Sequence, residues 1–406
     1  MKRSLVTTGS MLAISALLVF GAGPAQAAPA AGFYDLPAVL PANNGDLIRS
    51  EPSVFFLDPL HAVRAPASVE RIMYKSTNSA GAPVAVTGTV LVPYAPWTGP
   101  GQRPVLGYAV GTQGLGDQCA PSRALAAGTE YEGVFIKGLL ARGYSVVVTD
   151  YEGLGTAPKH TYMARASQGH AVLDAIRAAQ RRGDPQITVN TPVGLAGYSQ
   201  GGGASASAAE LAPSYAPELK LKGTYAGAVP SDLGAMAGSL DGGLYTAFLL
   251  YALSGISESA GVDVGAYLNQ AGRAKLAATE GECTVQSIAA SAFLDTATLT
   301  ADGGKASALL AVPEFKAAVD EQKIGNGRSP KAPVYLSHSV FDDVIPYSQG
   351  KGLTERWCAA GSSVYLDTNA APTHVGGYTA AFPAAFAFLE RTFAGRTALS
   401  NCWLMG

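Results

Sequence analysis

Hydrophobic positions in this chain fall mostly in short unbroken runs. "VAVTGTVLVP" (84–93) alternates well enough for a strand, and Pro93 ends it. "RPVLGYAVG" (103–111), "YSVVVTDYEG" (144–153), "TPVGLAGYS" (191–199), "KGTYAGAVP" (222–230), "APVYLSHS" (332–339) and "SSVYLDTN" (362–369) follow. Most are continuously apolar, which predicts strands of a parallel sheet buried on both faces. Between them lie Ala- and Leu-rich stretches with helical spacing. "GVFIKGLLARG" (133–143) and "GHAVLDAIRAAQRRG" (169–183) each stop at a glycine, and "AAFPAAFAFLERTFAG" (380–395) closes the pattern. The repetition predicts an α/β fold: a mostly parallel central sheet wound by right-handed crossovers, with helices on both faces.

One interval breaks the rhythm. About a hundred residues (231–331) separate two candidate strands, where a crossover needs about a dozen or more. The interval reads helical in "LYTAFLLYALSGI" (244–256), "GAYLNQAGRAKLAAT" (265–279) and "VPEFKAAVDEQKIG" (312–325). It is expected to form an inserted lobe over one end of the sheet. "LYTAFLLYAL" has two readings, a buried core helix or a helix lining an acyl-chain pocket. The organisation expected is a leader over 1–27, core over 28–230 and 332–406, and a helical cap over 231–331.

The leader reading rests on three parts. Lys2 and Arg3 are basic, Met11 to Phe20 is almost wholly apolar, and Ala25-Gln26-Ala27 is a cleavage-type triplet. That is the layout of a secretory signal peptide. No other stretch reaches the ~18 uninterrupted apolar residues of a membrane-spanning helix, so a secreted, unanchored chain is expected. With 48% hydrophobic and 14% charged residues the sequence describes a packed globule. Its formal charge of −2 becomes −4 without Lys2 and Arg3, which recruits neither nucleic acid nor an anionic membrane. Cys119, Cys283, Cys358 and Cys402 lack metal-ligand spacing, and export makes two disulfides the expectation, with three possible connectivities.

Candidate chemistry centres on "GYSQG" (197–201). A G-x-S-x-G alone is a weak signal in a chain with 48 glycines. Here Ser199 ends a predicted strand and "GGGASASAAELA" starts a small-residue helix, the context a nucleophile elbow requires. Gly197 and Gly201 leave room for strand and helix to cross closely.

A serine hydroxyl needs a histidine base and an orienting carboxylate, in the chain order Ser, acid, His for this architecture. Only His338 and His374 follow Ser199. His338 lies within a predicted strand, whereas His374 follows the last strand and a polar loop, so His374 is the base expected. Counting back from Ile345-Pro346 in "VFDDVIP" puts the acid at Asp342, with Asp343 as runner-up; Asp367 ends a strand too near His374. The oxyanion of the tetrahedral intermediate needs two backbone N–H donors. One is expected from Gln200, the other from Thr112 or Gln113 in the glycine-rich "GTQGLG". His61, His160 and His170 read as ordinary hydrogen-bonded or surface residues. No metal or nucleotide motif is present in the sequence, and adjacent Asp342 and Asp343 do not suggest a glycosidase pair.

With these residues in place, the chain resembles the secretory lipase family of α/β-hydrolases, which includes fungal lipase A-type and actinobacterial exported proteins. The resemblance spans nearly the whole mature chain. It rests on "GDLIRS" (45–50), "AVTGTVLVP" (85–93), "CAPS" (119–122), "VVVTDYEGLG" (146–155), "AVLDAIRA" (171–178), "GYSQGG" (197–202), "DDVIPY" (342–347) and "THVGG" (373–377). It implies a Ser199–Asp342–His374 triad, a helical cap matching 231–331, and disulfides Cys119–Cys283 and Cys358–Cys402. Lipase A-type members carry an acid near Gln113 where this chain has an amide. The chain also ends soon after Cys402, which leaves at most a short C-terminal flap.

The expected function is that of a secreted serine carboxylic ester hydrolase, a triacylglycerol lipase without cofactor. Its partners would be ester or acylglycerol substrates, not nucleic acid or a membrane anchor. Three alternatives stay open: an esterase for short or soluble esters, acyl transfer to alcohols, and a non-catalytic binding protein on a hydrolase fold.

Overall fold

A computed structural model describes residues 32–405; the leader expected over 1–27 lies outside them. Nine strands form one sheet: β1 (Leu47–Pro52), β2 (Ala67–Thr77), β3 (Pro83–Pro93), β4 (Val105–Ala109), β5 (Ser145–Thr149), β6 (Val193–Tyr198), β7 (Leu221–Gly227), β8 (Val334–Ser339) and β9 (Val364–Asn369). Their spatial order is β1-β2-β3-β5-β4-β6-β7-β8-β9. β1, β2, β3 and β5 pair antiparallel, and every pair from β5 to β9 is parallel. All seven strands expected from the pattern are present, and β1 and β2 are additions to it. Their polar residues explain the omission. Glu70 and Arg71 sit in mid-strand on β2, where Arg71 pairs with Glu51 and Glu70 with Arg182.

The framework helices are α1 (Pro121–Ala127), α2 (Gly133–Ala141), α3 (Arg165–Arg181), α4 (Gln200–Tyr215), α10 (Tyr347–Ala359) and α11 (Thr373–Phe393). Alternation along β6 sorts them between two faces. A side chain at Gly194 would run into Phe393 of α11, whereas one at Gly197 would run into Gly201 of α4. Phe135 of α2 packs against Phe382 and Phe386 of α11, with ring centroids 4.7 Å apart in each case. On the other face, buried Trp357 of α10 donates Nε1–H to Glu210 of α4 (2.8 Å).

Between β7 and β8 the chain leaves the sheet for five α-helices and three short 3-10 turns; the α-helices are α5 (Leu233–Leu240), α6 (Thr246–Ala260), α7 (Gln270–Glu280), α8 (Thr284–Ser291) and α9 (Pro313–Glu321). Both disulfides implied by the resemblance are formed. Cys119–Cys283 ties this insertion to the loop after β4, and Cys358–Cys402 ties α10 to the C-terminal segment.

Candidate active site

Ser199 stands between β6 and α4 at φ 60° and ψ −124°, a conformation that costs on the order of 1–3 kcal/mol for a non-glycine residue. Neighbouring backbone holds it there: its N–H donates to the Gly227 carbonyl (3.0 Å), and its carbonyl accepts from Gly203 N–H (2.9 Å). A Cβ on Gly201 would overlap the Ala109 carbonyl, and one on Gly197 the Gly201 carbonyl. Strand and helix can cross this closely only without those side chains.

His374 is the second residue of α11, and its Nδ1 lies 2.7 Å from Asp342 Oδ2. A carboxylate only accepts, so Nδ1 carries the proton and Nε2 is left as the basic nitrogen. Asp342 Oδ1 accepts from Val344 N–H (3.0 Å) and Ile345 N–H (2.8 Å). Burial pushes the Asp342 carboxyl up, but the bonds from His374 and these two N–H groups outweigh it and hold it below the ordinary range. Asp343 Oδ1 accepts the backbone N–H of His374 (2.7 Å), and Oδ2 accepts from Tyr245, at the head of α6 (3.1 Å). Next to the serine, Tyr198 donates its hydroxyl to the His374 carbonyl (2.8 Å), and the two rings lie 4.9 Å apart. No hydrogen bond joins Ser199 to His374 among the described residues; such bonds commonly tighten only with substrate bound.

The remaining candidates lie elsewhere. His338 is buried within β8 and donates Nε2–H to the Ile345 carbonyl (2.9 Å), 3.7 Å from Asp342, and burial lowers its pKa. Asp367 faces Tyr335 and Tyr365 in a groove at the far edge of the sheet. His61 and His170 bond to backbone carbonyls. His160 is fully buried, and burial lowers its pKa to about 4 against a bond from Nδ1 to the Glu152 carbonyl (2.7 Å). Its Nε2 then accepts from the Gln200 amide (3.1 Å), which also donates to Gln168 (3.0 Å). The residue following the nucleophile is thus tied down by its side chain.

The loop after β4 faces this region. Gly111 N–H donates to Glu132 (3.1 Å), and the Gln113 amide donates to Glu130 (3.2 Å). The Thr112 hydroxyl bonds Tyr162 (2.8 Å). The backbone N–H groups of Thr112, Gln113 and Gln200 have no partner among the described residues, so both loop candidates keep a free donor. Burial drives the Glu130 carboxyl up to about 7 and that of Glu132 well above the carboxylate range. Sequence reasoning passed over Glu130, Tyr131 and Glu132. Their only signal was "EYE" ahead of α2, which reads equally as acids at a helix N-terminus.

Ser199 opens into a narrow, largely apolar cleft. Met236, Ala237 and Leu240 of α5, Phe248 and Ala252 of α6, and Leu310 form much of the wall. Within α6, Leu250 and Tyr251 are buried, as expected of a core helix, while Phe248 and Leu249 line the cleft. No group of three or more metal-binding side chains occurs among the described residues.

A family model for secretory lipases matches residues 119–401. The chain is 30% identical to a Mycobacterium tuberculosis protein named probable inactive lipase, over 82% of this chain and 75% of that one. It is 27% identical to a lipase A of Arthroderma benhamiae (96% and 88% covered). It is 28% identical to a secreted triacylglycerol lipase of Malassezia restricta (82% and 72%). Among solved structures, Candida antarctica lipase A in its closed state superposes with a TM-score of 0.77 at 24% identity, covering 89% of this chain and 85% of that one. A rice cell wall degrading esterase of Xanthomonas oryzae gives 0.68 at 19% identity (85% and 96%).

Proposed function

The chain belongs to the secretory lipase family, and from that premise we propose that it is an exported lipase cleaving acylglycerol esters through Ser199, His374 and Asp342. Ser199 Oγ attacks the ester carbonyl while His374 Nε2 takes its proton. Asp342 keeps the imidazole in the Nδ1–H tautomer and stabilises its cationic form. The tetrahedral oxyanion is received by the N–H groups of Gln200 and Gln113. His374 then protonates the leaving alcohol, and a water activated by the same nitrogen releases the acid. Gly197 and Gly201 give the elbow its close crossing, and Thr112 orients the loop that carries Gln113. In this reading residues 231–331 are the cap, and its α5 and α6 receive the acyl chain.

The observation that carries the proposal is the setting of Ser199. It is strained into a positive φ and opens onto an otherwise apolar cleft, whose one other hydroxyl, that of Tyr162, is engaged by Thr112. The 2.7 Å contact between Asp342 and His374 favours a working enzyme over the inactive state named for the mycobacterial relative. Extracellular action is supported by the family and by the secreted lipase among the relatives, and no helix of the described residues is long and apolar enough to cross a membrane.

The test is hydrolysis of p-nitrophenyl esters from acetate to palmitate, with Ser199→Ala as control. A Ser199-dependent maximum at long chains is expected. A maximum at acetate or butyrate would make the protein a small-ester esterase, and no Ser199-dependent rate at any length would make it a binding protein.

A further inference from the structure

The loop proposed to carry the second oxyanion donor is gripped by a residue from the inserted helices. Thr284, the first residue of α8, donates its hydroxyl to the Thr112 carbonyl (2.8 Å) and its N–H to the Gln113 carbonyl (3.0 Å). Tyr131 donates its hydroxyl to the same Thr112 carbonyl (3.2 Å). The grip is part of a short antiparallel pairing. Gly114 bridges Cys283, and Leu115 N–H donates to the Glu282 carbonyl (3.1 Å). The Cys119–Cys283 disulfide clamps the two segments beside it.

The consequence follows from peptide geometry. In a trans peptide the C=O of one residue and the N–H of the next point in opposite directions. Two hydroxyl donors that hold the Thr112 carbonyl on the side of Thr284 therefore turn the Gln113 N–H to the opposite side, where it has no protein partner. Without them the Thr112–Gln113 plane has only the Gln113 side chain and its neighbours to oppose rotation. A flipped plane would present a carbonyl where the intermediate needs a donor, which replaces attraction of the oxyanion by repulsion.

We propose that Thr284 and Tyr131 are positioning residues for ester hydrolysis, holding the Thr112–Gln113 peptide in the orientation that presents the Gln113 N–H to the oxyanion. The cap thus completes the hydrolase core as well as enclosing the acyl chain. The inference rests on the function proposed above and on Gln113 as donor.

The test compares wild type, Thr284→Val, Thr284→Ser, Tyr131→Phe and the Val/Phe double variant. kcat, KM and inhibition by an alkylboronic acid, whose serine adduct carries the tetrahedral oxygen, are measured for each. Thr284→Val keeps shape and backbone N–H but removes the hydroxyl. It should lower kcat about tenfold, leave KM within about twofold and weaken the boronate in parallel, while the serine variant recovers most of the loss. The double variant should fall towards the ~100-fold deficit of a missing oxyanion donor. Unchanged kcat in Thr284→Val, a loss confined to KM, or a loss that serine does not recover would overturn the inference while leaving the function standing. A wild type inactive on every ester would overturn the function and the inference with it.

Discussion

Asp342 Oδ2 lies 2.7 Å from His374 Nδ1, while the next residue, Asp343, takes the backbone N–H of the same histidine at the same distance. Two adjacent carboxylates hold one residue, and only the first touches its ring. Asp342→Asn should therefore lower kcat by roughly 10³–10⁴, because an amide can donate to Nδ1 and favour the wrong tautomer. Asp343→Asn keeps an acceptor for the His374 N–H and should stay within about tenfold of wild type. Steady-state kinetics on one p-nitrophenyl ester decide between the two. A larger loss in the Asp343 variant would reverse their roles.

Ser199→Ala should abolish ester cleavage, whereas Ser205→Ala should not. Ser205 lies nearly two turns further into α4, fully buried, and its hydroxyl has no partner among the described residues. Removing it frees a buried polar group from an unfavourable site, so its melting temperature should hold or rise. Equal activity in the two variants would remove the elbow from the mechanism.

The carboxyl of Glu130, raised to about 7 by burial against bonds from Glu132 N–H and Gln113, makes stability depend on pH. Between pH ~4.5 and ~7 the folded chain keeps a proton that the unfolded chain has lost, so stability falls as pH rises. Above that window the buried charge costs up to about 3 kcal/mol. Glu130→Gln should thus melt higher relative to wild type at pH 8 than at pH 4. A difference in melting temperature that stays constant across that range would refute a raised Glu130.

Ala237 lies on α5 in the wall of the Ser199 cleft. Ala237→Phe fills part of that space and should lower the palmitate-to-butyrate rate ratio at least tenfold, with butyrate cleavage little changed. A parallel fall on both esters would place the acyl chain elsewhere.

The two disulfides should be separable. Cys119–Cys283 spans 164 residues and Cys358–Cys402 spans 44, so chain entropy predicts losses of about 5 and about 4 kcal/mol on paired Cys→Ser replacement. Only the first clamps the insertion to the loop of Thr112 and Gln113. Its loss should lower kcat at temperatures where the chain is still folded, and loss of the second should not. Chemical denaturation and kinetics on both double variants measure the two effects.

The sequence by itself determined the parallel part of the sheet. Strands buried on both faces must be apolar at every position, so β4 to β9 read as runs whatever packs on them. It also marked the serine elbow, since only glycines permit that crossing, and the insertion, since a crossover does not need a hundred residues. β1 and β2 escaped because charges at Glu51, Glu70 and Arg71 become compatible with a strand only when paired across the sheet and with Arg182, just past α3. The sequence favoured Asp342 over Asp343 by its spacing from Ile345-Pro346, but that Asp343 takes the backbone N–H of His374 was decided by the tertiary structure, because neighbours in a loop point in different directions and only one meets the ring. The grip of Thr284 and Tyr131 on the Thr112 carbonyl was likewise invisible in the chain. Those partners lie 172 and 19 residues from Thr112, and a hydroxyl's hydrogen bond leaves no periodicity in sequence; it exists only once the fold has brought the carbonyl within reach.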